Sequence, residues 1–230
     1  MDNLIRYSLI KTKMPREFLL LKGTGCKYKK CKFCDYYLDA SENPFEENKK
    51  VLDKITGETG VLDIINSGSA MELDSQTLDL IYKKAKELGI HTIWFEAHWM
   101  YRKQIESFKN KFPGIKIKFR IGVETFDPML RNSWHKGIPA HVTPQEIAKY
   151  FQGGCLLIGV KGQTKETIYS DIQTALSIFE YFSVNVFVKN STPIEPDPQL
   201  INWFKTEILP SIQENPKIEI LLNNTDLGVG

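Results

Sequence analysis

The sequence predicts an α/β fold, a partial (β/α)6 barrel in which helices cover a parallel sheet. Two observations support this class. Short apolar runs alternate with segments of helical periodicity along nearly the whole chain, and these runs are almost continuous, as in strands buried on both faces. The six strand–helix units are two short of a complete eightfold barrel. In such folds the functional loops follow the carboxyl ends of the strands.

The predicted strands are short, apolar and bounded by loop-forming residues. The first ends at Gly23-Thr24-Gly25, and the second is closed by Ser67-Gly68-Ser69. A further apolar run, residues 218–222, lies near the end of the chain. The strands are predicted at residues 17–21, 61–66, 91–97, 115–123, 154–160 and 184–189.

The clearest predicted helix spans residues 74–88. Its apolar residues recur at helical spacing, Asp74 or Ser75 can cap its start, and Gly89 follows its end. Each of the other helices follows one of the predicted strands. They are expected at residues 45–55, 101–111, 143–151, 164–182 and 198–212.

The charge balance of the chain argues against one broad class of partner. Its 230 residues include 30 Lys and Arg against 28 Asp and Glu, a formal net charge of +2. This is too little to attract nucleic acid or an anionic membrane by bulk electrostatics. Charges interrupt the start of the sequence, and the longest apolar stretches are too short to span a bilayer. We expect a cytoplasmic protein in which residues 1–230 form a single domain without an auxiliary domain.

Three of the four cysteines, Cys26, Cys31 and Cys34, lie within nine residues in the loop after the first predicted strand. In a reducing cytosol this grouping indicates a metal site rather than disulfides. Three thiolates suit a cubane iron–sulfur cluster whose fourth iron stays open for a ligand. Phe33 would place an apolar wall beside such a cluster. Cys155 stands alone in an apolar run and is expected in the core.

A zinc site is the alternative interpretation of these cysteines. Structural zinc takes four ligands, usually as two pairs, and a second pair is missing here. The remaining candidates are scattered along the chain: Cys155, His91, His98, His135 and His141.

The cysteine segment resembles that of the radical S-adenosylmethionine (SAM) superfamily. The usual superfamily motif has three and then two residues between its cysteines, whereas this chain has four and then two. The resemblance extends over the six strand–helix units. It implies that Cys26, Cys31 and Cys34 bind a [4Fe–4S] cluster, that SAM is the second cofactor, and that a flavodoxin or ferredoxin supplies electrons.

The resemblance also implies a set of cofactor-binding residues at the strand ends. Ser67, Gly68 and Ser69 stand where the superfamily receives the methionine amine, although its usual glutamate is absent; a plain tight turn explains them equally well. The segment from Arg120 to Asp127 resembles the one that reaches the ribose and carboxylate of SAM, with an ion pair between neighbouring turns as the alternative. The expected cofactor-binding residues are Phe33, Tyr36, Ser67, Gly68, Ser69, Arg120, Glu124, Gly159 and Asn190.

Other polar residues are candidates for substrate contact or proton transfer. Glu96 and His98 follow the third predicted strand and share a face if the strand continues that far. A histidine packed in a polar loop is the alternative. Asp35, which follows Cys34, is the third candidate catalytic residue.

Within the superfamily, the sequence is most similar to the queuine lyases, compact enzymes of queuine salvage. The likeness lies in its length, in residues 15–21, in Cys34-Asp35-Tyr36 and in residues 120–127. It implies hydrogen abstraction from the cyclopentenediol of queuine, followed by carbon–nitrogen cleavage. Asp35, Glu96, Asp127 and Glu195 are the carboxylates available for such a substrate. The alternatives are another radical enzyme of deazapurine metabolism and a zinc-stabilised protein without chemistry.

Overall fold

The computed structural model describes residues 4–230, which form eight strands that follow one another in the sheet in chain order. The chain folds into two compact units: residues 4–29, 36–119 and 225–230 form the first, and residues 30–35 and 120–224 form the second. The boundary falls within the fifth strand. The strands are β1 Tyr7–Ile10, β2 Arg16–Leu21, β3 Val61–Asn66, β4 Thr92–Glu96, β5 Lys116–Glu124, β6 Gly153–Ile158, β7 Tyr181–Val186 and β8 Ile218–Leu221.

The helices lie between these strands, as the sequence predicts. Short 3-10 helices at Tyr36–Leu38, Ala70–Glu72 and Trp99–Gln104 follow β2, β3 and β4. A π-helical segment, Phe204–Ile208, joins the last two α-helices. The α-helices are α1 Phe45–Leu52, α2 Ser75–Glu87, α3 Ile105–Lys109, α4 Pro128–Ser133, α5 Pro144–Ala148, α6 Lys165–Ile178, α7 Pro198–Trp203 and α8 Leu209–Ile212.

In the first unit, β1 pairs antiparallel with β2, while β2, β3 and β4 are parallel. Leu19, Ile64 and Phe95 lie side by side across β2–β4 and are fully buried. Helix α1 packs on β2 and on α2. The carboxylate of Asp74 accepts the Thr77 N–H at 2.8 Å, so it caps α2 as predicted. The apolar faces of these elements form the core of this unit.

The second unit contains the parallel strands β6, β7 and β8, with β5 pairing to β6. Leu156 of β6 lies opposite Val184 of β7, and both are fully buried. Helix α6 packs on β6 and β7. The hydroxyl of Thr164 caps its start by accepting the Thr167 N–H at 3.2 Å. The register of β5 against β6 shifts between Gly122 and Glu124, which marks a bulge at the end of β5.

Some predicted boundaries differ from the structure. The helix expected at residues 164–182 ends at Ile178, and β7 begins at Tyr181 rather than at residue 184. Strand β1 and helix α4 were not predicted, and residues 218–222 contribute the parallel strand β8. Because β1 runs antiparallel, the sheet is mostly rather than wholly parallel.

Across residues 4–230, none of the helices is both long enough and apolar enough to cross a membrane.

Candidate active site

The predicted site residues lie at the carboxyl ends of parallel strands in each unit. In the first unit, the cysteines follow β2, the Ser67-Gly68-Ser69 turn follows β3, and Glu96 is the last residue of β4. In the second unit, Glu124 ends β5, Gly159 follows β6, and Asn190 lies beyond β7. This is where parallel α/β folds place their chemistry.

The cysteine loop, residues 23–35, carries three partly exposed cysteines, none of which forms a disulfide. The Sγ of Cys26 accepts the Lys29 N–H at 3.3 Å, and the Cys34 N–H donates to the Cys31 carbonyl at 3.3 Å. A cleft of about 350 Å³ opens beside Gly25, Cys26 and Lys27. In the part of the chain that the structure describes, no three His, Cys, Asp or Glu side chains are grouped to hold a metal. The assignment of the three thiols as cluster ligands therefore stays a prediction.

The Ser67-Gly68-Ser69 turn ties together three parts of the first unit. The Ser67 hydroxyl accepts the Gly23 N–H at 2.9 Å, and the Ser69 hydroxyl accepts the His98 N–H at 3.0 Å. Both hydroxyls are therefore used by backbone donors. The turn connects the cysteine loop with the ends of β3 and β4.

Glu72 is a buried carboxylate of this region that the sequence did not single out. Its Oε1 accepts the Lys27 N–H at 2.8 Å and the Tyr101 hydroxyl at 2.9 Å, and its Oε2 accepts the Ser69 N–H at 2.6 Å. Burial, together with the bond to Glu72, raises the pKa of Tyr101 above its usual range. Tyr101 is thus a neutral hydroxyl donor at physiological pH.

His98 lies just beyond β4, which ends at Glu96 rather than continuing through the histidine. Its Nδ1 accepts the Met100 N–H at 3.2 Å and so caps the 3-10 helix that follows. Its ring stacks on Tyr28 of the cysteine loop, with centroids 4.1 Å apart and planes 22° apart. Because Nδ1 is an acceptor, neutral His98 carries its proton on Nε2.

In the second unit, Phe33 anchors the other part of the cysteine loop. It lies in a buried apolar cluster with Trp134, Leu157, Val160 and Phe187, against which Cys31 and Cys34 also pack. The Phe33 and Trp134 rings meet edge to face, 5.9 Å apart. The Lys32 N–H donates to the Trp134 carbonyl at 3.0 Å. Phe33 thus lies in an apolar cluster beside two of the three cysteines, and its role as a wall beside an iron–sulfur cluster stays a prediction.

A buried ion pair joins Glu124 to Lys136, whose Nζ lies 2.8 Å from Oε1. Glu124 has a φ of +67°, a conformation that glutamate rarely adopts. The Lys136 ammonium also lies 5.5 Å from the centre of the Phe33 ring. Burial lowers the pKa of Lys136, but the charges of Glu124 and Cys31 outweigh burial and raise the pKa above its usual range. The sequence did not single out Lys136 either, and it places a fixed positive charge near the thiols of this unit.

Asp35 and Asn190 hold the cysteine loop to the segment after β7. The Asp35 carboxylate accepts the Ser191 N–H at 3.0 Å and the Ser191 hydroxyl at 2.8 Å. The Asn190 amide donates to the Phe33 carbonyl at 2.8 Å. The structure therefore brings together Asp35, predicted to be catalytic, and Asn190, predicted to bind the cofactor.

The remaining predicted residues occupy varied positions. Arg120 is buried within β5, opposite Gly153 of β6. Gly159 has a φ of +77°, and a Cβ there would lie 2.3 Å from Cγ1 of Ile201. Close packing against α7 is thus enough to explain why this position is a glycine. Tyr36 is 61% exposed at the start of its 3-10 helix.

Two other candidate carboxylates have local structural partners. Asp127 caps α4 by accepting the Leu130 N–H at 2.8 Å. Glu195 lies 2.7 Å from the Lys189 ammonium. Cys155, expected in the core, is half-buried in β6.

Comparison with known proteins reveals similar solved structures. The chain matches queuine lyase from Clostridium spiroforme bound to SAM and queuine, with a TM-score of 0.94 and 41% identity, covering 99% of this chain and 100% of that one. It also matches Streptococcus suis SuiB (TM-score 0.56, 16% identity, 91% of this chain and 50% of that one). A third match is methylornithine synthase, PylB (TM-score 0.59, 16% identity, 88% and 63%). No protein-family model and no curated protein sequence matched the chain.

The latter two likenesses show the fold alone. Together with the first, they confirm the predicted α/β partial barrel with a largely parallel sheet covered by helices.

Proposed function

The chain belongs to the queuine lyase family of radical SAM enzymes, and on that premise we propose that it cleaves queuine in a SAM-dependent radical reaction. The observation that carries the proposal is 41% identity to an enzyme bound to SAM and queuine, extending over 99% of this chain. The three cysteines on the loop after β2 support it independently, since no relative is needed to recognise them.

We propose that Cys26, Cys31 and Cys34 hold a [4Fe–4S] cluster. The donor set fits this group, because all three cysteines are partly exposed and none of them forms a disulfide. The backbone also leaves room for it: a Cβ added to Gly25, whose φ is +123°, would meet no atom within 4 Å. The Lys136 ammonium can offset part of the thiolate charge. When bound with SAM, the cluster supplies the electron that releases methionine and a 5′-deoxyadenosyl radical.

The residues proposed to bind SAM are Ser67, Gly68, Ser69, Arg120, Glu124, Gly159 and Asn190. The positions of all of them except Arg120, at or near the carboxyl ends of strands, support this role, whereas Arg120 lies in the middle of β5 rather than at its predicted end. The positive φ of Glu124 supports it further, because strained backbone is concentrated at functional sites. Both serine hydroxyls already accept backbone bonds, so this turn would offer its carbonyl oxygens to the methionine amine.

The proposed reaction removes a hydrogen atom from the cyclopentenediol of queuine and then breaks the carbon–nitrogen bond. The ring leaves as a closed-shell enol, and the nitrogen of the base takes up one electron, from the electron donor, and one proton to give 7-aminomethyl-7-deazaguanine. His98 can hold that proton at Nε2, since its Nδ1 already accepts the Met100 N–H. Glu96 and Asp35 are the carboxylates proposed to orient the diol or the base. A flavodoxin or ferredoxin is the proposed electron donor.

An anaerobic reaction tests the proposal. Purified protein is reconstituted with iron and sulfide and mixed with reductant, SAM and queuine, and the products are measured by mass spectrometry. We expect 5′-deoxyadenosine that depends on queuine, together with 7-aminomethyl-7-deazaguanine. The Cys31→Ala variant is the negative control and should form neither product. The Cys155→Ala variant, a cysteine substitution outside the motif, should form both.

The outcomes separate the parts of the proposal. Deoxyadenosine without a product from queuine would overturn the substrate assignment and point to another radical reaction of deazapurines. Neither product, from protein shown to carry its cluster, would overturn the lyase activity. A colourless protein with one bound zinc would overturn the cluster itself.

A further inference from the structure

Glu72 contacts the cysteine loop on both sides of Cys26. The Thr24 N–H and hydroxyl donate to the Glu72 carbonyl at 3.2 and 3.1 Å, and the Lys27 N–H donates to its Oε1 at 2.8 Å. One residue therefore fixes the backbone immediately before and after Gly25-Cys26. Cys26 itself is partly exposed, so packing alone does not hold it.

The carboxylate is itself rigidly held. Glu72 is 4% exposed, and its Oε2 accepts the Ser69 N–H at 2.6 Å. A Cβ added to Gly68 would lie 2.1 Å from that oxygen and 3.2 Å from the Gly25 carbonyl. The glycine between the two serines thus provides the space in which the carboxylate and the cysteine loop approach each other.

From this geometry we infer that Glu72 is a positioning residue that fixes Cys26 for cluster binding before the cluster arrives. The inference rests on the proposed function, since it assigns Cys26 as a cluster ligand. All three groups bonded to its carboxylate (two backbone N–H groups and the Tyr101 hydroxyl) are neutral donors. Its role is to accept hydrogen bonds in the cysteine loop, which a neutral amide cannot reproduce because one of its two ends is a donor.

The test is hydrogen exchange of the full chain, read by mass spectrometry with residue-level fragmentation before and after cluster reconstitution. In Glu72→Gln we expect the Lys27 and Ser69 amides to exchange about tenfold faster, as the loss of one buried hydrogen bond implies. The Leu156 amide in β6 should be unchanged. Glu214→Gln, which alters an exposed glutamate outside the site, is the matched control.

Two further variants separate positioning from general loss of structure. Gly68→Ala keeps the Glu72 charge but displaces the carboxylate, so it should accelerate exchange at the same two amides. Tyr101→Phe removes one donor and leaves both backbone bonds, so its effect should stay within about twofold. In the reconstituted protein, Glu72→Gln and Gly68→Ala should alter the electron paramagnetic resonance spectrum of the reduced cluster, whereas Glu214→Gln should not.

Unchanged exchange at Lys27 in both Glu72→Gln and Gly68→Ala would overturn the inference. Weaker SAM binding with unchanged exchange would also overturn it, since Glu72 would then act as a ligand for SAM. Exchange is measured before reconstitution as well as after it. If the wild-type chain binds no cluster, the proposed function fails. The exchange rates measured before reconstitution still show whether Glu72 anchors the cysteine loop.

Discussion

The ammonium of Lys136 lies 2.8 Å from Oε1 of Glu124, and both side chains are only 10% exposed. Glu124 ends β5 at a bulge, in the left-handed region of backbone space. A Cβ added to Gly122 would lie 2.4 Å from the same oxygen. Backbone strain and a buried charge are therefore combined at the end of one strand, in the unit that also holds Cys31 and Cys34.

Replacing Lys136 by Met should strongly destabilise the protein. The change leaves the Glu124 carboxylate buried without its cation, which typically costs about 3–5 kcal/mol. The free energy of unfolding in urea, followed by circular dichroism, measures this cost. Lys109→Met removes a surface partner of Glu106 and should cost less than about 1 kcal/mol. Equal stability of the two variants would contradict this account of the pair.

Asp171 should make stability depend on pH. Burial raises its pKa to about 6, although bonds from Thr125 and Phe126 act to lower it. In the unfolded chain the carboxyl titrates near 4, so between roughly pH 4 and pH 6 the folded protein holds more protons. Its contribution to stability is therefore complete below about pH 4 and is lost as pH rises through about 6.

The Asp171→Asn variant isolates this effect, because its amide is neutral at every pH and other titrating groups cancel in the comparison. The difference in unfolding free energy between wild type and variant should change by roughly 3 kcal/mol across the window. Urea unfolding from about pH 4 to about pH 8 measures it. A difference that stays constant with pH would show that Asp171 titrates normally.

Phe33 should contribute to stability through the apolar cluster around it. Phe33→Ala leaves a cavity beside Trp134 and should cost about 3–5 kcal/mol, whereas Phe33→Leu should cost less than about 1.5 kcal/mol. Thermal and urea unfolding of both variants provide the measurement. A decrease of less than about 1.5 kcal/mol in the unfolding free energy of Phe33→Ala would mean that Phe33 contributes less packing than its burial indicates.

The cysteines should differ sharply in their effect on cluster content. Alanine at Cys26, Cys31 or Cys34 should abolish the visible absorption and bound iron of reconstituted protein, because a cubane needs all three protein ligands. Alanine at Cys155 should leave both unchanged. Iron analysis and absorption spectra are the measurements, and full iron content in any of the first three variants would refute the ligand set.

The sequence predicts most of the fold because strands that are buried on both faces have nearly continuous apolar sequences. Val61–Asn66 is predicted residue for residue for this reason. Strand β1, Tyr7–Ile10, is only half-buried along its length and so gives no such run. The helix predicted at residues 164–182 is too long because only Phe179 and Glu180 separate α6 from β7, without a glycine or proline to mark the break.

Spacing in the sequence singles out candidate site residues most clearly where they are close together. Cys26, Cys31 and Cys34 lie within nine residues, so their spacing alone indicates a metal site. Glu72 is 45 residues from Lys27 and 29 from Tyr101, two of the groups it binds. The Glu124–Lys136 pair likewise spans 12 residues, a separation that matches no local motif. Contacts made by the tertiary structure cannot be found from spacing.

Gly68 and Gly122 share a property that bears on how this family can diverge. Neither has a positive φ, and each is kept small by the carboxylate of a nearby glutamate folded over its backbone. Substitutions at the glycine and at its glutamate are therefore expected to be coupled. Among homologues, we expect Gly68 to be replaced only where Glu72 is replaced too, and Gly122 only together with Glu124. A mutational scan that varied one position at a time would score both glycines as intolerant, because each added Cβ would collide with the carboxylate of the glutamate beside it.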